Sequence, residues 1–477
     1  MASHPKQSMK KTSIQRLAGG LLALGAYGGT LHGQSSDALL KKLVDKGILT
    51  GQEAAELKKE SDGGFDKAYR TKSGMPDWVT SLKIYGDLRA RYETLQTDND
   101  TPGALQPNKD RAGFRFRLRT GMTATLKDSF EVGFRLASGE PSGAFGGDPN
   151  SSNVTFQDNA SKKFVWIDLA YGKWTPINTG PWLVSGTIGK MENPFVADMA
   201  FDMDYTPEGA AIQGAYAINE SHSLKWNGAV FMTDEINQGS QASDDPMLFG
   251  VQLRYEAKWT SELATSLGLA WYTLKDAENL GNLAVPNNRV GNTRYGKSVP
   301  GSVTRLAGSL VNDYYPVVAD AAVTYTLKSF PGYAGKFPIR VAGEYIENPG
   351  ADRQNNAYWA GVFFGKASKK GTWEASYRFK RLEADALYEE FVDSDFSAYY
   401  EAIPGGSVAS SGSAPGQRAG TGIQGHIFRA GYAPSDSFQL GMTYLLSELI
   451  NPAFVGTPSK RAESGAHRLQ VDATWKF

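Results

Sequence analysis

Residues 464–477 read SGAHRLQVDATWKF, and the fold can be read outward from them. From Leu469 the apolar side chains Leu469, Val471, Ala473, Trp475 and Phe477 take every second position, and Arg468, Gln470, Asp472, Thr474 and Lys476 fill the positions between. A period of two with opposite polarities describes a β-strand with one apolar and one ionic face. Alternation alone fits two folds. In a soluble sandwich the apolar face turns to a core, whereas in a membrane barrel it turns to lipid and the ionic face encloses water.

Composition removes other classes. No run of about 20 apolar residues follows the first thirty or so, so a helical membrane protein is excluded. The chain of 477 residues has no Cys, which excludes disulfides and thiolate chemistry. The N-terminus pairs a basic region at Met9-Lys10-Lys11 with a short apolar stretch from Leu17 to Gly29, followed by small residues to Gly33-Gln34. This is the pattern of a secretory signal peptide over residues 1–33, with Met9 as a start and cleavage after Gly33. Its loss would leave 46 basic against 50 acidic residues, because Lys6, Lys10, Lys11 and Arg16 depart with no acid beside them. Nothing in that balance points to nucleic acid.

Residues 34–75 are expected to form a periplasmic helical segment and linker. Leu39, Leu40, Leu43, Val44 and Ile48 recur at helical spacing, and Thr50-Gly51-Gln52-Glu53 resembles a capping box that restarts the helix. The stretch reads either as a hairpin packed on itself or as an oligomerisation or cell-wall-contacting segment over residues 35–60.

From residue 76 the text is that of strands. Lys83, Tyr85, Asp87, Arg89, Arg91 and Glu93 alternate with Leu82, Ile84, Leu88, Ala90 and Tyr92, and Arg115, Arg117 and Arg119 alternate with Phe114, Phe116 and Leu118. Further strands are expected near 130–139, 163–174, 182–190, 208–218, 222–232, 247–259, 262–274, 315–328, 337–347, 356–366, 371–383, 421–433, 437–447 and 465–477, about sixteen in all. The links sort themselves. Those after even-numbered strands are mostly a few residues, such as Lys127-Asp128-Ser129, Asn219-Glu220-Ser221 and Thr260-Ser261, whereas most after odd strands are long, as at 140–161, 275–313 and 384–419. An up-and-down membrane barrel has short periplasmic turns and long outer loops; a sandwich has no reason to sort them. Trp174, Trp182, Trp259, Trp373 and Trp475 gather beside the short turns, as an interfacial aromatic belt would. The expected fold is an all-β, transmembrane, antiparallel up-and-down barrel of about sixteen strands in outer-membrane lipid, with both termini in the periplasm.

The stretch Gly189-Lys190-Met191-Glu192-Asn193-Pro194-Phe195, followed by Phe201-Asp202-Met203-Asp204-Tyr205-Thr206-Pro207-Glu208-Gly209, resembles a family of bacterial putative porins, as do the helical text before the barrel and the terminal Phe477. The resemblance implies a sixteen-stranded outer-membrane porin, a homotrimer by analogy with general porins, and a C-terminal Phe read by the barrel-assembly machinery.

A barrel of this size has a wet lumen, so function falls to the residues lining it. Parity puts Arg89, Arg91, Arg115, Arg117, Arg119 and Arg135 on the polar face of the first three strands as a candidate basic wall. Glu192, Asp198, Asp202, Asp204 and Glu208 follow the fifth strand. In general porins the loop at that place folds into the lumen, so residues 191–208 are expected to set acids across from arginines in a transverse field. Plain polar filler is the alternative for the arginines, and an exposed loop or a hard-cation cluster at Asp198, Asp202 and Asp204 the alternative for the acids, although their spacing departs from an EF-hand. Neither a metal nor another cofactor is expected. Nor is a catalytic residue: His222, His426 and His467 lie on separate strands and no nucleophile elbow is present. The segment before the barrel is too short for the plug of an energised transporter. The expectation is a passive channel for small hydrophilic solutes and ions, with a solute-selective channel for phosphate-like anions or sugars, or a structural envelope tether, as rivals.

Overall fold

The computed structural model describes residues 75–97, 110–142, 146–236, 245–280, 291–295, 309–399, 418–450 and 465–477. The leader and the helical segment lie outside these residues. All the strands fall within the unit Trp78–Phe477.

Each alternating stretch forms a strand, and sixteen of them make a closed antiparallel barrel. In chain order they are β1 (Val79–Thr97), β2 (Arg111–Leu126), β3 (Phe130–Ser138), β4 (Val165–Thr179), β5 (Trp182–Lys190), β6 (Glu208–Ala217), β7 (His222–Met232), β8 (Met247–Lys258), β9 (Leu263–Lys275), β10 (Val317–Leu327), β11 (Phe337–Glu347), β12 (Asn356–Gly365), β13 (Thr372–Leu382), β14 (Ile423–Ser435), β15 (Phe438–Leu449) and β16 (Ala466–Lys476). Each pairs with its neighbour in sequence, and β16 returns to β1 with Leu88 opposite Trp475 and Arg91 opposite Asp472. Closure removes the unpaired edge that an open sheet would present to lipid. At the seam the Gly86 N–H donates to the Phe477 carbonyl (2.9 Å) and the Phe477 N–H donates to the Gly86 carbonyl (3.1 Å). A Cβ at Gly86 would stand 2.4 Å from the Phe477 ring and 2.5 Å from the Arg119 carbonyl, so the close approach requires glycine.

Inside and outside follow the period of two. Leu82, Ile84, Leu88, Leu118, Met122, Ile188, Ile212, Val251, Leu267, Val341 and Val471 are exposed on the outer surface, while Arg91 and Glu93, their neighbours in the alternation, are buried inside. A belt of this extent contradicts a soluble surface and suits hydrocarbon. Aromatics gather at both rims. On the short-turn rim Phe130 stacks on Trp174 and Trp182 packs on Tyr216 and Trp226, while Trp475 packs on Phe438 and Trp373 on Phe337. At the long-loop rim Tyr92 packs on Phe114, and Phe114 on Phe156.

The sorting of links largely holds, with 180–181 and 436–437 the tightest; 328–336 on the short rim is an exception, one residue longer than 348–355 on the other. The 3-10 turn Lys127–Ser129 reverses the chain through left-handed Asp128 and Ser129, a conformation Asp tolerates. Regular helix among the described residues is limited to this turn and Ala277–Asn279. The long loops do not all stand away from the barrel. Residues 191–207 and 383–397 turn inward, and Met199, Phe201, Tyr388, Phe391 and Phe396 form a core with Phe231, Tyr272 and Ile346 on the inner face of the wall.

Candidate functional site

Three strands present the basic wall in register. Across β1 and β2, Arg89 lies opposite Arg117, Arg91 opposite Arg115 and Asp87 opposite Arg119. Like charges directly opposed on one face repel by a few tenths of a kcal/mol or more unless carboxylates intervene. Here they mostly do. Asp87 accepts Arg117 Nη2 at 2.7 Å and Arg119 Nε at 2.8 Å. Asp472 on β16 takes Arg91 in a two-pronged pair at 2.7 and 2.9 Å. Arg115 reaches Glu93 at 3.9 Å, and Arg135 pairs with both Asp168 and Glu192. Arg89 differs: it makes no ion pair among the described residues, donates to the amide oxygen of Asn153 at 2.6 Å, and keeps a buried Nε without a partner.

The acids of the loop after β5 are spread across the lumen. Asp204 stands 3.6 Å from Arg117 and 3.5 Å from Arg119. Asp198 instead reaches Arg378 on β13 at 2.9 Å, and the backbone N–H groups of Asp198 and Met199 both donate to Glu344 on β11 at 3.0 Å. Between these contacts Gln252 on β8 clasps Val196 through its N–H (3.0 Å) and carbonyl (2.8 Å). The loop is therefore fastened to β2 at one end and to β8, β11 and β13 at the other. Asp202 is buried, accepting the N–H of Asp204 and of Ser394 at 2.9 Å each. Burial, then the Asp393 and Asp204 carboxylates, push its carboxyl well above the usual range. Glu208 needs correcting: as the first residue of β6 it shares the outward parity of Ile212, pairs with Lys190 at 3.0 Å, and does not face the arginines.

Sequence reading missed the second inward loop. Its segment LYEEFVDSDF, from Leu387 to Phe396, is too apolar for a solvated link, which was the available signal. Arg294 pairs with Glu389 with both side chains buried, Asn292 donates to the carbonyls of Ala384 (2.6 Å) and Leu387 (2.8 Å), and Tyr314 donates to Asp385 (3.0 Å). The Asp202 N–H donates to the Phe391 carbonyl (2.6 Å), and Asn150, from the loop after β3, to that of Glu390 (3.0 Å). Burial, then the Glu389 carboxylate, push the Glu390 carboxyl up to about 8, and its Oε1 has no partner. Against the pull of burial, Arg468 and Arg91 hold the Asp395 carboxyl well below the usual range.

These loops leave a cavity of about 610 Å³ against the basic wall, lined by Arg89, Arg117, Arg119, Asp204, Asp395 and Asp472 among others. Among the described residues no group of three or more His, Cys, Asp or Glu is arranged to hold a metal. What the arrangement offers is a charged aqueous conduit narrowed from within.

Residues 95–295 match the family model described as Putative porin. No curated protein matches. Among solved structures the barrel is similar to Pseudomonas putida OprB, with 11% identity over 83% of this chain and 94% of that one and a TM-score of 0.49. It is also similar to the outer membrane channel DcaP of Acinetobacter baumannii (12% identity, 83% and 97% covered, TM-score 0.38) and to OmpT of Vibrio cholerae (11%, 83% and 99%, 0.39).

Proposed function

We propose that this chain, which matches the putative porin family over residues 95–295, is a channel of the bacterial outer membrane that passes small hydrophilic solutes and ions passively down their gradients. One observation carries the reading: the loop 191–207 spans the lumen, with Asp204 at the arginines of β2 and Asp198 at Arg378 on the far side. A solute entering this gap exchanges water for fixed charges of both signs, so a polar solute crosses and an uncharged apolar one gains nothing. Arg89, Arg117 and Arg119 act as the cationic side of the constriction and Asp204 as its anionic side; Arg91, Arg115 and Arg135 are held as structural pairs of the same wall.

A second reading, a channel selective for anions, is favoured by Arg89, which lacks a carboxylate. The same account takes Phe477 as the signal to the assembly machinery, residues 35–60 as a cell-wall or oligomer contact, and the homotrimer as the assembly, which crosslinking tests. In planar bilayers the purified chain should give ohmic, weakly selective steps, and Arg117→Glu should move the reversal potential toward cations in a salt gradient. An unchanged potential overturns the role of the wall, block by micromolar anion favours the second reading, and absence of current would leave an envelope tether.

A further inference from the structure

The inward loop has a second cavity on its other side, of about 480 Å³, between residues 195–203 and the wall from β8 and β10 to β14. Its charges are nearly all committed. Arg254 pairs with Asp320 at 2.7 Å, Arg378 with Asp198 at 2.9 Å and Arg429 with Glu374 at 2.8 Å. Glu344 uses both carboxylate oxygens on the loop backbone. Arg340 is the exception: among the described residues it makes no ion pair, and its guanidinium lies over the Phe363 ring at 5.1 Å. The ring braces the cation but supplies no acceptor for its five donors.

The facing side of this cavity is unlike the rest of the lumen. Met203 is 90% exposed and Val196 53% exposed, although both lie inside the barrel, and Ala197 continues the same lining with buried Phe195 behind it. In a conduit for inorganic ions these side chains would order water with no return, and a polar residue would serve better. An exposed, adaptable thioether opposite an uncommitted guanidinium suits a ligand with one apolar and one anionic end.

We infer that this chamber is a binding site for amphipathic organic anions, a carboxylate on a flat apolar body of about benzoate size, with the carboxylate on Arg340 and the body between Phe363 and the Val196–Met203 face of the loop. A cavity of this volume falls within the range of small-molecule sites. The site deepens the channel reading and rests on it only for the route by which the anion arrives.

The test is calorimetric titration of the full chain in detergent with benzoate, acetate and benzyl alcohol, with bilayer currents recorded in parallel. Benzoate is expected to bind at least about tenfold more tightly than either probe, which carries only one of its two ends. Arg340→Gln should weaken benzoate by at least about tenfold. Met203→Gln, at an exposed position on which folding does not depend, should weaken it by about threefold or more. Equal affinity for the three probes overturns the site, as does unaltered benzoate affinity in Met203→Gln; if Arg340→Gln fails to fold, Met203→Gln decides. Current without benzoate binding defeats the site and spares the channel, whereas binding without current spares the site and defeats the channel.

Discussion

The flank formed by β1 to β3 and β16 and the flank formed by β7 to β14 belong to one barrel, yet they line it differently. On the first, the inner face is ionic rung after rung: Arg89 opposite Arg117, Arg91 opposite Arg115, with Asp87 and Asp472 between. Among the described residues the loops meet these rungs through charge, Asp204 at Arg117 and Arg119 and Asp395 at Arg91 (3.3 Å) and Arg468 (2.8 Å), and the 610 Å³ cavity lies before them. On the second, the inner face toward the long-loop rim is apolar, with Phe231, Leu248, Tyr272, Leu274, Val318 and Ile346 all buried. There the loops 191–207 and 383–397 come to rest, Phe201 meeting Tyr272 edge-on at 5.1 Å and Phe391 at 6.0 Å. The difference teaches where a loop folds inward: burial of its apolar side chains outweighs the ordering of its backbone only where the wall offers apolar area. Charge narrows the lumen on one side, and hydrophobic contact on the other holds the acids in place.

The strongest way to break this contrast is Phe201→Ala. Removing an aromatic that is 5% exposed and packed on four rings should cost about 3–5 kcal/mol of loop docking. The barrel, held by its strand ladders, should persist in detergent. Its loop 191–207 should be cleaved by protease faster by about a hundredfold or more, and the bilayer conductance should rise. Cleavage at the parent rate would mean that the apolar flank does not hold the loop.

A smaller effect sharpens the comparison through pH. The Glu390 carboxyl, raised from 4.5 to about 8, is protonated in the folded loop and ionised in the unfolded chain across that interval. The folded state then binds the extra proton, so stability is greatest at low pH and falls as pH rises through the window. Asp202, raised in the same direction, adds to the trend. Glu390→Gln should flatten it: the parent should lose on the order of 5 °C in unfolding midpoint between pH 5 and pH 8.5, and the variant clearly less. Equal slopes would show that the second loop is not docked as a neutral carboxyl.

The same contrast explains what the sequence could disclose. Where one face is ionic and the other apolar, as in Leu469 to Phe477 or Leu82 to Glu93, period two gives the strand, its facing and its register partner's polarity together. On the second flank both faces are apolar in part. In Val317–Leu327, Val317 is exposed outside while Val318 and Ala322 are buried inside, so alternation weakens though the strand survives. The six arginines of the first flank were legible because their neighbours in the alternation are apolar, Thr120 after Arg119 excepted. Arg340 and Arg429 stand singly between apolar neighbours and Arg378 has only Lys380 beside it at the same parity, so no ladder marked them. Glu208 was grouped with its loop because acids close in sequence look alike; only the parity it shares with Ile212 turns it outward. The inward fold of 383–397 rests on rings distant in sequence, Phe391 on Phe201 and Tyr205 and Tyr388 on Tyr314, contacts that no local pattern encodes. Residues 34–74 and the leader lie outside the described residues.

The central claim is that one set of alternate side chains faces lipid and the other faces water. The chain has no Cys, so each introduced thiol is the sole target for a reagent. On β15, Thr443 borders the lumen cavity, while its neighbour Met442 is exposed on the outer surface. In proteoliposomes a charged, membrane-impermeant maleimide should label Thr443→Cys rapidly and leave Met442→Cys nearly unmodified; labelling of both alike, or of Met442→Cys alone, would contradict the account.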